Sequence, residues 1–395
     1  MRHILCLLWV AAVLQAQTAA PKIPEHPFVA LNGPYAVGVH EVLWIDQKRG
    51  EPFTQDPNDH RHVLARIWYP AEKSSGTPDP APYIYDPKEF GDAALYKLVA
   101  GVKTNSITDA PIAKKPGRFP VLLYQPGGGM ARFTATFLTE QLASHGYIVV
   151  SCDHAGFGPV ERFPDGFEFK PDLHLMPKPT GKFEDDALAS FAWLRQDVFP
   201  TWTADATFAL DQIEALNRTP GQKFNKRLDI SRIGMLGWSF GGATSIQMSK
   251  DDRRVKAAID GDGQLFGDVA EKGTSKPIML MHHGIVDQAP KTEDQPALAK
   301  LMQQIEEQNR ALLDHSSNVR YQVTIAGTQH GHFSDLLLAY PPAGQLDPRR
   351  AHEIILAYSL AFFDKYLNGR DSSLLTASPS PYTEVTFERL PATKH

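Results

Sequence analysis

Cysteine is scarce in this chain of 395 residues, which contains only Cys6 and Cys152. Cys6 lies in an N-terminal apolar segment, too early in it for the cleavage site of a lipoprotein. If that segment is removed, Cys152 is left alone and no intramolecular disulfide can form. With 42% hydrophobic residues, a chain of this length can bury a large core. The lack of a disulfide therefore does not exclude export.

An excess of positive charge is also absent. Lys and Arg together number 40 against 45 Asp and Glu, the formal net charge is −5, and like charges form no block. Binding to the phosphates of nucleic acid requires a basic stripe, and an anionic membrane surface would not attract this charge balance. The sequence therefore predicts that nucleic acids are not partners of the chain.

No apolar run is long enough to span a bilayer comfortably. The first twenty residues place Arg2 before an apolar run from Ile4 to Leu14 and an Ala-rich end. This pattern is typical of a secretory signal peptide, and an uncleaved interfacial anchor is the alternative. We therefore expect a secreted or periplasmic protein without stable membrane insertion after cleavage, with residues 21–395 forming a single domain.

The remainder of the chain has no internal repeat, and from residue 119 onward apolar strand patterns alternate with helical patterns. Continuous apolar strands are buried on both faces, which indicates an α/β fold with a mostly parallel central sheet and helices on both faces. A last helix is predicted between the N-cap Asp347, with Pro348 at its first position, and Gly369 just past its end. The predicted strands are 35–45, 62–69, 119–125, 147–152, 232–236, 255–259, 277–281 and 320–325.

Residues 155–183 interrupt this alternation with five prolines and several aromatic residues that follow no period. We interpret them as part of a cap-like or loop insertion near 155–228 that crosses the carboxyl edge of the sheet, where α/β proteins bind ligands. An ordinary long loop is the alternative.

A Gly-x-Ser-x-Gly motif, GWSFG at residues 237–241, follows the apolar strand 233–236 and precedes small residues at helical spacing. A nucleophile elbow requires this order, because its strained serine needs small neighbours where strand and helix approach each other. Ser239 is therefore the candidate nucleophile, and an idle serine in a glycine-rich turn is the alternative. The N–H of Phe240 is one expected oxyanion donor, and the loop PGGG at 126–129 is expected to supply the other.

A serine nucleophile requires a histidine base and an acid that orients it, in the chain order Ser, acid, His. His330 directly follows the last predicted parallel strand and is the candidate base. A metal cluster of His330 and His332 with His282 and His283 is the alternative, although its spacing matches no zinc signature. For the acid, Asp262 and Asp287 both follow strands, and Asp287 lies where most α/β hydrolases carry it.

The chain resembles the plasma-type platelet-activating factor acetylhydrolases and their bacterial relatives in the α/β-hydrolase superfamily. The resemblance covers roughly residues 119–155 and 230–336 and is densest in LASHGYIV (142–149), SFGGAT (239–244), DGQLF (262–266) and HGHFSD (330–335). It implies a catalytic set of Ser239, Asp262 and His330, with the N–H groups of Gly128 and Phe240 as oxyanion donors.

Two features depart from that family. Trp238 stands where those enzymes have a histidine, and the PGGG loop replaces a His-Gly-Leu-Gly-like one. In addition, GIVDQAP at 284–290 resembles the acid loop of dienelactone hydrolase-like and cutinase-like enzymes, which keeps Asp287 open as the acid.

Together these features predict a serine esterase that works through an acyl-enzyme and requires no metal or organic cofactor. Trp238, Phe240 and the insertion are expected to shape an apolar substrate site. The resemblance implies short-acyl ester substrates, such as the sn-2 acyl group of platelet-activating-factor-like phospholipids. The alternatives are polyester, feruloyl or dienelactone hydrolysis on the same fold, and a catalytically inactive binding protein.

Overall fold

The computed structural model describes residues 23–73, 76, 78–91, 93–285, 296–339 and 341–393, with residues 298 and 302 described by backbone alone. The strands within these ranges are β1 (Ala36–Gly50), β2 (His60–Ala71), β3 (Ile107–Thr108), β4 (Phe119–Gln125), β5 (Ile148–Cys152), β6 (Leu228–Trp238), β7 (Val255–Gly261), β8 (Ile278–His283), β9 (Arg320–Ile325) and β10 (Val385–Leu390). The α-helices are α1 (Ala94–Val99), α2 (Thr136–Ser144), α3 (Phe183–Trp193), α4 (Phe199–Arg218), α5 (Phe240–Asp251), α6 (Val269–Lys272), α7 (Pro296–His315), α8 (Leu336–Ala339) and α9 (Pro348–Asn368).

These strands form one sheet in the order β10-β9-β8-β7-β6-β4-β5-β2-β1-β3. Its centre is parallel from β5 through β4, β6, β7 and β8 to β9. The antiparallel neighbours are β2 beside β5 on one side and β10 beside β9 on the other. The structure thus confirms the predicted α/β fold and places the carboxyl ends of six parallel strands at one edge.

Helices cover both faces of the sheet because side chains alternate along each strand. On β4, Leu122 and Tyr124 pack in the core cluster that includes α2 and α9. Val121 and Leu123 pack in the opposite cluster, which includes α4. All seven residues of β4 are buried, as expected for a parallel strand between two helical layers.

Helix α9 confirms the end signals that the sequence predicts. The Asp347 side chain accepts from the N–H groups of Arg349 and Arg350, Pro348 occupies the first turn, and Gly369 ends the helix with φ 67°. A carboxylate cap and a left-handed glycine satisfy the backbone groups that a helix leaves unpaired.

The connection between β5 and β6 contains α3 and α4, which a π-helical segment at Leu194–Val198 joins almost without a break. Pro200 lies in the first turn of α4, directly after this π-helical segment. None of the helices in the described ranges has both the length and the apolar character that crossing a membrane requires.

Candidate active site

Ser239 lies at the sharp turn between β6 and α5. It has φ 57° and ψ −122°, a backbone conformation that side-chain-bearing residues rarely adopt. Such strain persists only where the surrounding structure imposes it, and it concentrates at functional sites. The turn places the half-buried Ser239 side chain at the carboxyl edge of the sheet, before the N-terminus of α5.

Glycines make this turn possible. A Cβ atom added to Gly237 would lie 2.7 Å from the carbonyl oxygen of Gln125, and one added to Gly241 would overlap the carbonyls of Gln125 and Pro126. Strand β4 and helix α5 therefore approach more closely than any larger residue allows. The small residues that the motif predicts are required by packing as well as by backbone conformation.

Asp262 follows the neighbouring strand and lies beside the serine. The N–H of Ser239 donates to the carbonyl of Gly261 over 2.8 Å, and the N–H of Asp262 donates to the carbonyl of Met281 over 2.8 Å. Asp262 has φ 63°, so the chain turns sharply as it leaves β7. These contacts fix the acid loop between the nucleophile turn and the end of β8.

His330 begins a short 3-10 helix, His330–Phe333, after β9. Its Nδ1 lies 2.6 Å from Oδ2 of Asp262, and the two side chains are 27% and 7% exposed. The structure therefore brings together the base and the acid that the family resemblance assigns. The imidazole remains accessible, whereas the carboxylate behind it is shielded from water.

Two histidines determine the protonation of Asp262. Burial alone would raise the pKa of this carboxyl, but hydrogen bonds from His283 and His330, with the attraction of their charged forms, hold the pKa well below its usual range. Asp262 is thus a carboxylate at every pH at which an esterase would work, and it can stabilise an imidazolium on His330.

A second carboxyl, Asp260, lies beneath the same loop. It is 3% exposed, and its Oδ1 accepts the N–H of Gly263 over 2.8 Å. Burial raises the pKa of Asp260 well above its usual value, and the nearby charge of Asp262 adds to this rise. Asp260 supports the turn that presents Asp262 and has no access to a substrate.

His283 also binds Asp262, a contact that the sequence did not predict. Its Nδ1 lies 2.7 Å from Oδ2 of Asp262, and its backbone N–H lies 3.1 Å from Oδ1. The one available signal was its position at the carboxyl end of β8, next to the strand that delivers Asp262.

The two expected oxyanion donors follow neighbouring strands, Phe240 after β6 and Gly128 after β4. Phe240 opens α5, so its N–H belongs to the turn of the helix that has no internal acceptor. Gly128 is buried in the turn after β4. Within that turn the N–H of Gly129 donates to Phe157 and that of Met130 to Gly127, and among the described residues none accepts from Gly128. The loop thus leaves the N–H of Gly128 for a ligand.

Trp238 and Phe240, which are expected to shape the substrate site, are both buried. Trp238 is 4% exposed and its Nε1–H donates to the backbone carbonyl of His330 over 3.0 Å. Phe240 is 3% exposed and packs among four aromatic rings, those of Phe157, Phe199, Trp202 and Phe266. These contacts connect Trp238 to the His330 loop and Phe240 to the aromatic residues around α5.

A buried polar network lies under the oxyanion loop. Nε2 of His154 lies 2.8 Å from Oε1 of Gln125, the last residue of β4, and Nδ1 lies 2.9 Å from Asp205. Arg61 binds Asp205 and Glu51, and all three side chains are fully buried. The network holds the end of β4, from which the loop begins.

Two alternatives concern the identity of the acid and a metal site in place of serine chemistry. Asp287, the alternative acid, lies outside the described residues. In the described part of the chain, Asp262, His283 and His330 each offer one atom that a metal ion could bind, all within 4.8 Å of one another. His332 does not join them, because its ring binds the backbone of Gln329 and Leu346. A bound ion would replace the hydrogen bond between Asp262 and His330.

Comparisons with known proteins agree with this geometry. The family model of platelet-activating factor acetylhydrolase, isoform II, matches residues 22–156 and 215–374. A probable 1-alkyl-2-acetylglycerophosphocholine esterase of Arthroderma benhamiae is 26% identical over 75% of this chain and 72% of its own. A platelet-activating factor acetylhydrolase of Bos taurus is 23% identical over 91% of this chain and 81% of its own.

Among solved structures, a ferulic acid esterase from Streptomyces cinnamoneus is similar with a TM-score of 0.71 and 28% identity, over 93% of this chain and 99% of its own. These relatives are all named as hydrolases of carboxylic esters, and this chain is a carboxylic ester hydrolase. Because the family model spans well over half of its residues, the chain belongs to the family of platelet-activating factor acetylhydrolases, isoform II.

Proposed function

We propose that this esterase hydrolyses short-acyl esters through an acyl-enzyme on Ser239, with His330 as general base and Asp262 as its acid. The observation that carries the proposal is the strained Ser239 turn beside a hydrogen-bonded pair of Asp262 and His330. A serine hydroxyl is a weak nucleophile, and an adjacent imidazole that is oriented by a carboxylate activates it.

The reaction proceeds in two halves. His330 takes the proton of the Ser239 hydroxyl as the serine oxygen attacks the ester carbonyl. The imidazolium then gives that proton to the leaving alcohol. Water, deprotonated by the same imidazole, then attacks the acyl-enzyme, and the imidazolium returns that proton to the Ser239 oxygen as the carboxylic acid is released. Asp262 accepts from Nδ1–H of His330, which places the lone pair of the neutral imidazole on Nε2, the atom that acts as the base, and it stabilises the imidazolium.

The tetrahedral intermediates carry a negative charge on the former carbonyl oxygen, and the N–H groups of Phe240 and Gly128 donate hydrogen bonds to this oxygen. Phe240 lies at the first position of α5, where the helix dipole also favours negative charge. Both donors belong to rigid, buried backbone, so they need no reorganisation as the charge develops.

As substrates we propose esters with a short acyl group, in particular the sn-2 acyl group of platelet-activating-factor-like phospholipids. Family membership and the names of the relatives support this class. A second candidate is a feruloyl ester, which the structural neighbour supports. The two differ on the acyl side, where an acetyl group is small and a feruloyl group is a planar aromatic one.

We also propose that the protein is secreted or periplasmic and that residues 1–20 are a signal peptide. The proposal rests on Arg2, the apolar run and the Ala-rich end of that segment. N-terminal sequencing of protein recovered outside the cytoplasm tests it, and a retained residue 1 contradicts it.

The test of the mechanism compares the wild-type chain with Ser239→Ala on p-nitrophenyl acetate. The variant should show background hydrolysis and no labelling by a fluorophosphonate probe, whereas undiminished turnover rejects Ser239 as the nucleophile. A substrate panel of 2-acetyl phospholipid, longer 2-acyl phospholipids and methyl ferulate then separates the two candidate substrates. A higher kcat/KM for methyl ferulate than for the 2-acetyl phospholipid would make the feruloyl ester the preferred candidate substrate.

A further inference from the structure

We propose that His283 is a positioning residue of the catalytic site, which orients the carboxylate of Asp262 toward His330. This inference rests on the proposed function, since it assumes that Asp262 and His330 serve Ser239. His283 acts through Asp262 and is not assigned any contact with the substrate.

The geometry that supports the proposal is a carboxylate held on both oxygens. Oδ1 of Asp262 accepts the backbone N–H of His283 over 3.1 Å. Oδ2 accepts Nδ1–H of His283 over 2.7 Å and Nδ1–H of His330 over 2.6 Å. Among the described residues His283 is the one that binds both oxygens, so it fixes the plane of the carboxylate to which His330 binds.

His283 also lies where two loops join. The next residue, Gly284, donates its N–H to Oγ1 of Thr328, and Ile285 donates to the carbonyl of the same threonine over 2.9 Å. Thr328 lies two residues before His330. At the end of β8, His283 therefore binds Asp262, and the two residues that follow it bind Thr328 in the loop that carries His330. These contacts fix the two loops relative to each other.

The shared oxygen gives His283 an electrostatic effect. During catalysis His330 becomes an imidazolium, which Oδ2 of Asp262 stabilises. A proton on His283 places a second positive charge 2.7 Å from that oxygen, so the carboxylate must then stabilise two cations, and repulsion between the cations opposes the charge on His330.

Four titratable groups face His283 among the described residues, namely Asp262, His282, His330 and His332. Burial lowers the pKa of His282 and also that of His332, so both remain neutral where an esterase is assayed. Asp262 remains ionised. The charge that His283 orients in this site is therefore that of the Asp262 carboxylate.

The experiment separates the donor from the charge with two variants. In His283→Asn the amide nitrogen takes the place of Nδ1 and keeps the hydrogen bond without titrating, whereas His283→Ala removes both. We expect His283→Asn to retain kcat within about twofold at neutral pH, and His283→Ala to lose about tenfold in kcat with KM unchanged. His145→Asn, a half-buried histidine that contacts Asn32, is the matched control.

The comparison of His283→Asn with His283→Ala is the decisive measurement. Only His283→Asn keeps a donor to Oδ2 of Asp262, so recovery of kcat in that variant assigns the loss in His283→Ala to this hydrogen bond. An unchanged kcat of His283→Ala, or equal losses in the two variants, overturns the proposal. Thermal melts show whether His283→Ala folds, and if it does not, His283→Leu, which fills the space without a donor, replaces it in the comparison.

Two further results distinguish this inference from the proposed function. If Ser239→Ala keeps its activity, the proposed function fails and the inference fails with it. If Ser239→Ala is inactive while His283→Ala keeps the kcat of the wild type, only the inference fails. Activity that survives His330→Ala but not His283→Asn would make His283 the base and overturn its positioning role.

Discussion

The indole Nε1 of Trp238 lies 3.0 Å from the backbone carbonyl oxygen of His330, so the residue before the proposed nucleophile binds the proposed base. The same indole fills the space beside Gly127, where an added Cβ atom would lie 2.7 Å from the ring. Trp238 therefore contacts the base loop and the oxyanion loop while it precedes Ser239 in the chain. One buried side chain couples the three parts of the site.

This coupling predicts different outcomes for two substitutions of Trp238. Trp238→Phe leaves the carbonyl of His330 without its donor, and we expect kcat to fall about tenfold with little change in KM, because the base is displaced. In Trp238→His, Nε2 takes the place of the indole Nε1 and should retain most of the activity. Equal losses in the two variants would indicate that ring volume, not the hydrogen bond, supports the base.

The identity of the acid is tested by Asp262→Asn against Asp287→Asn. An amide at residue 262 stabilises the wrong tautomer of His330 and cannot balance the imidazolium, so kcat should fall by about 10⁴-fold. Asp287→Asn should remain within about twofold of the wild type, because Asp262 keeps both hydrogen bonds to the histidines. The reverse order of effects in p-nitrophenyl acetate assays would assign the acid to Asp287.

The nucleophile turn predicts that Gly241→Ala is severe. The added methyl group would overlap the carbonyls of Gln125 and Pro126, so strand and helix must separate, and we expect a loss of about 3 kcal/mol or more in the free energy of unfolding. Denaturant titration measures this, and probe labelling of any folded fraction shows whether Ser239 is still presented.

Gly101→Ala is the control for this substitution. A Cβ atom placed there meets no atom of the described residues within 4 Å, and the backbone is not left-handed. Its free energy of unfolding should change by less than about 0.5 kcal/mol. A similar cost in both variants would contradict the close approach of β4 and α5.

His352 predicts how stability depends on pH. Burial lowers the pKa of this histidine to about 3, and its ring stacks on Phe137 with Nε2–H donating to the carbonyl of Ser334. Because the folded pKa lies below the unfolded value near 6.5, the stability contribution is complete above pH 6.5 and is lost as the pH falls toward 3. Between about pH 6.5 and 5 the loss should be roughly 2 kcal/mol.

His352→Gln keeps a donor for Ser334 but does not titrate. Denaturant titrations at pH 7 and pH 5 should therefore show a smaller acid-induced loss in the variant than in the wild type, whatever its stability at pH 7. An equal loss in both proteins would mean that His352 becomes protonated without cost in the folded state.

The sequence alone determined the local features of this protein. The nucleophile turn consists of residues within a few positions of Ser239, so its strand, its small residues and its helix can be recognised from one short stretch of sequence. The caps of α9 lie next to the helix that they end, and the alternation of apolar strands and helices predicts the α/β fold. Each of these features depends on interactions between residues close in the chain, which a pattern of residue types reports directly.

The tertiary structure decided what depends on residues distant in the chain. Asp262 lies 21 positions from His283 and 68 from His330, and only the order of β7, β8 and β9 in the sheet brings the three together. In the same way, the GWSFG motif does not determine the side-chain conformation of Trp238. Its hydrogen bond to the carbonyl of His330, 92 positions away, depends on the tertiary structure. Residue types predicted a nucleophile, a base and candidate acids, whereas the directions of the side chains followed from the packing of the strand ends.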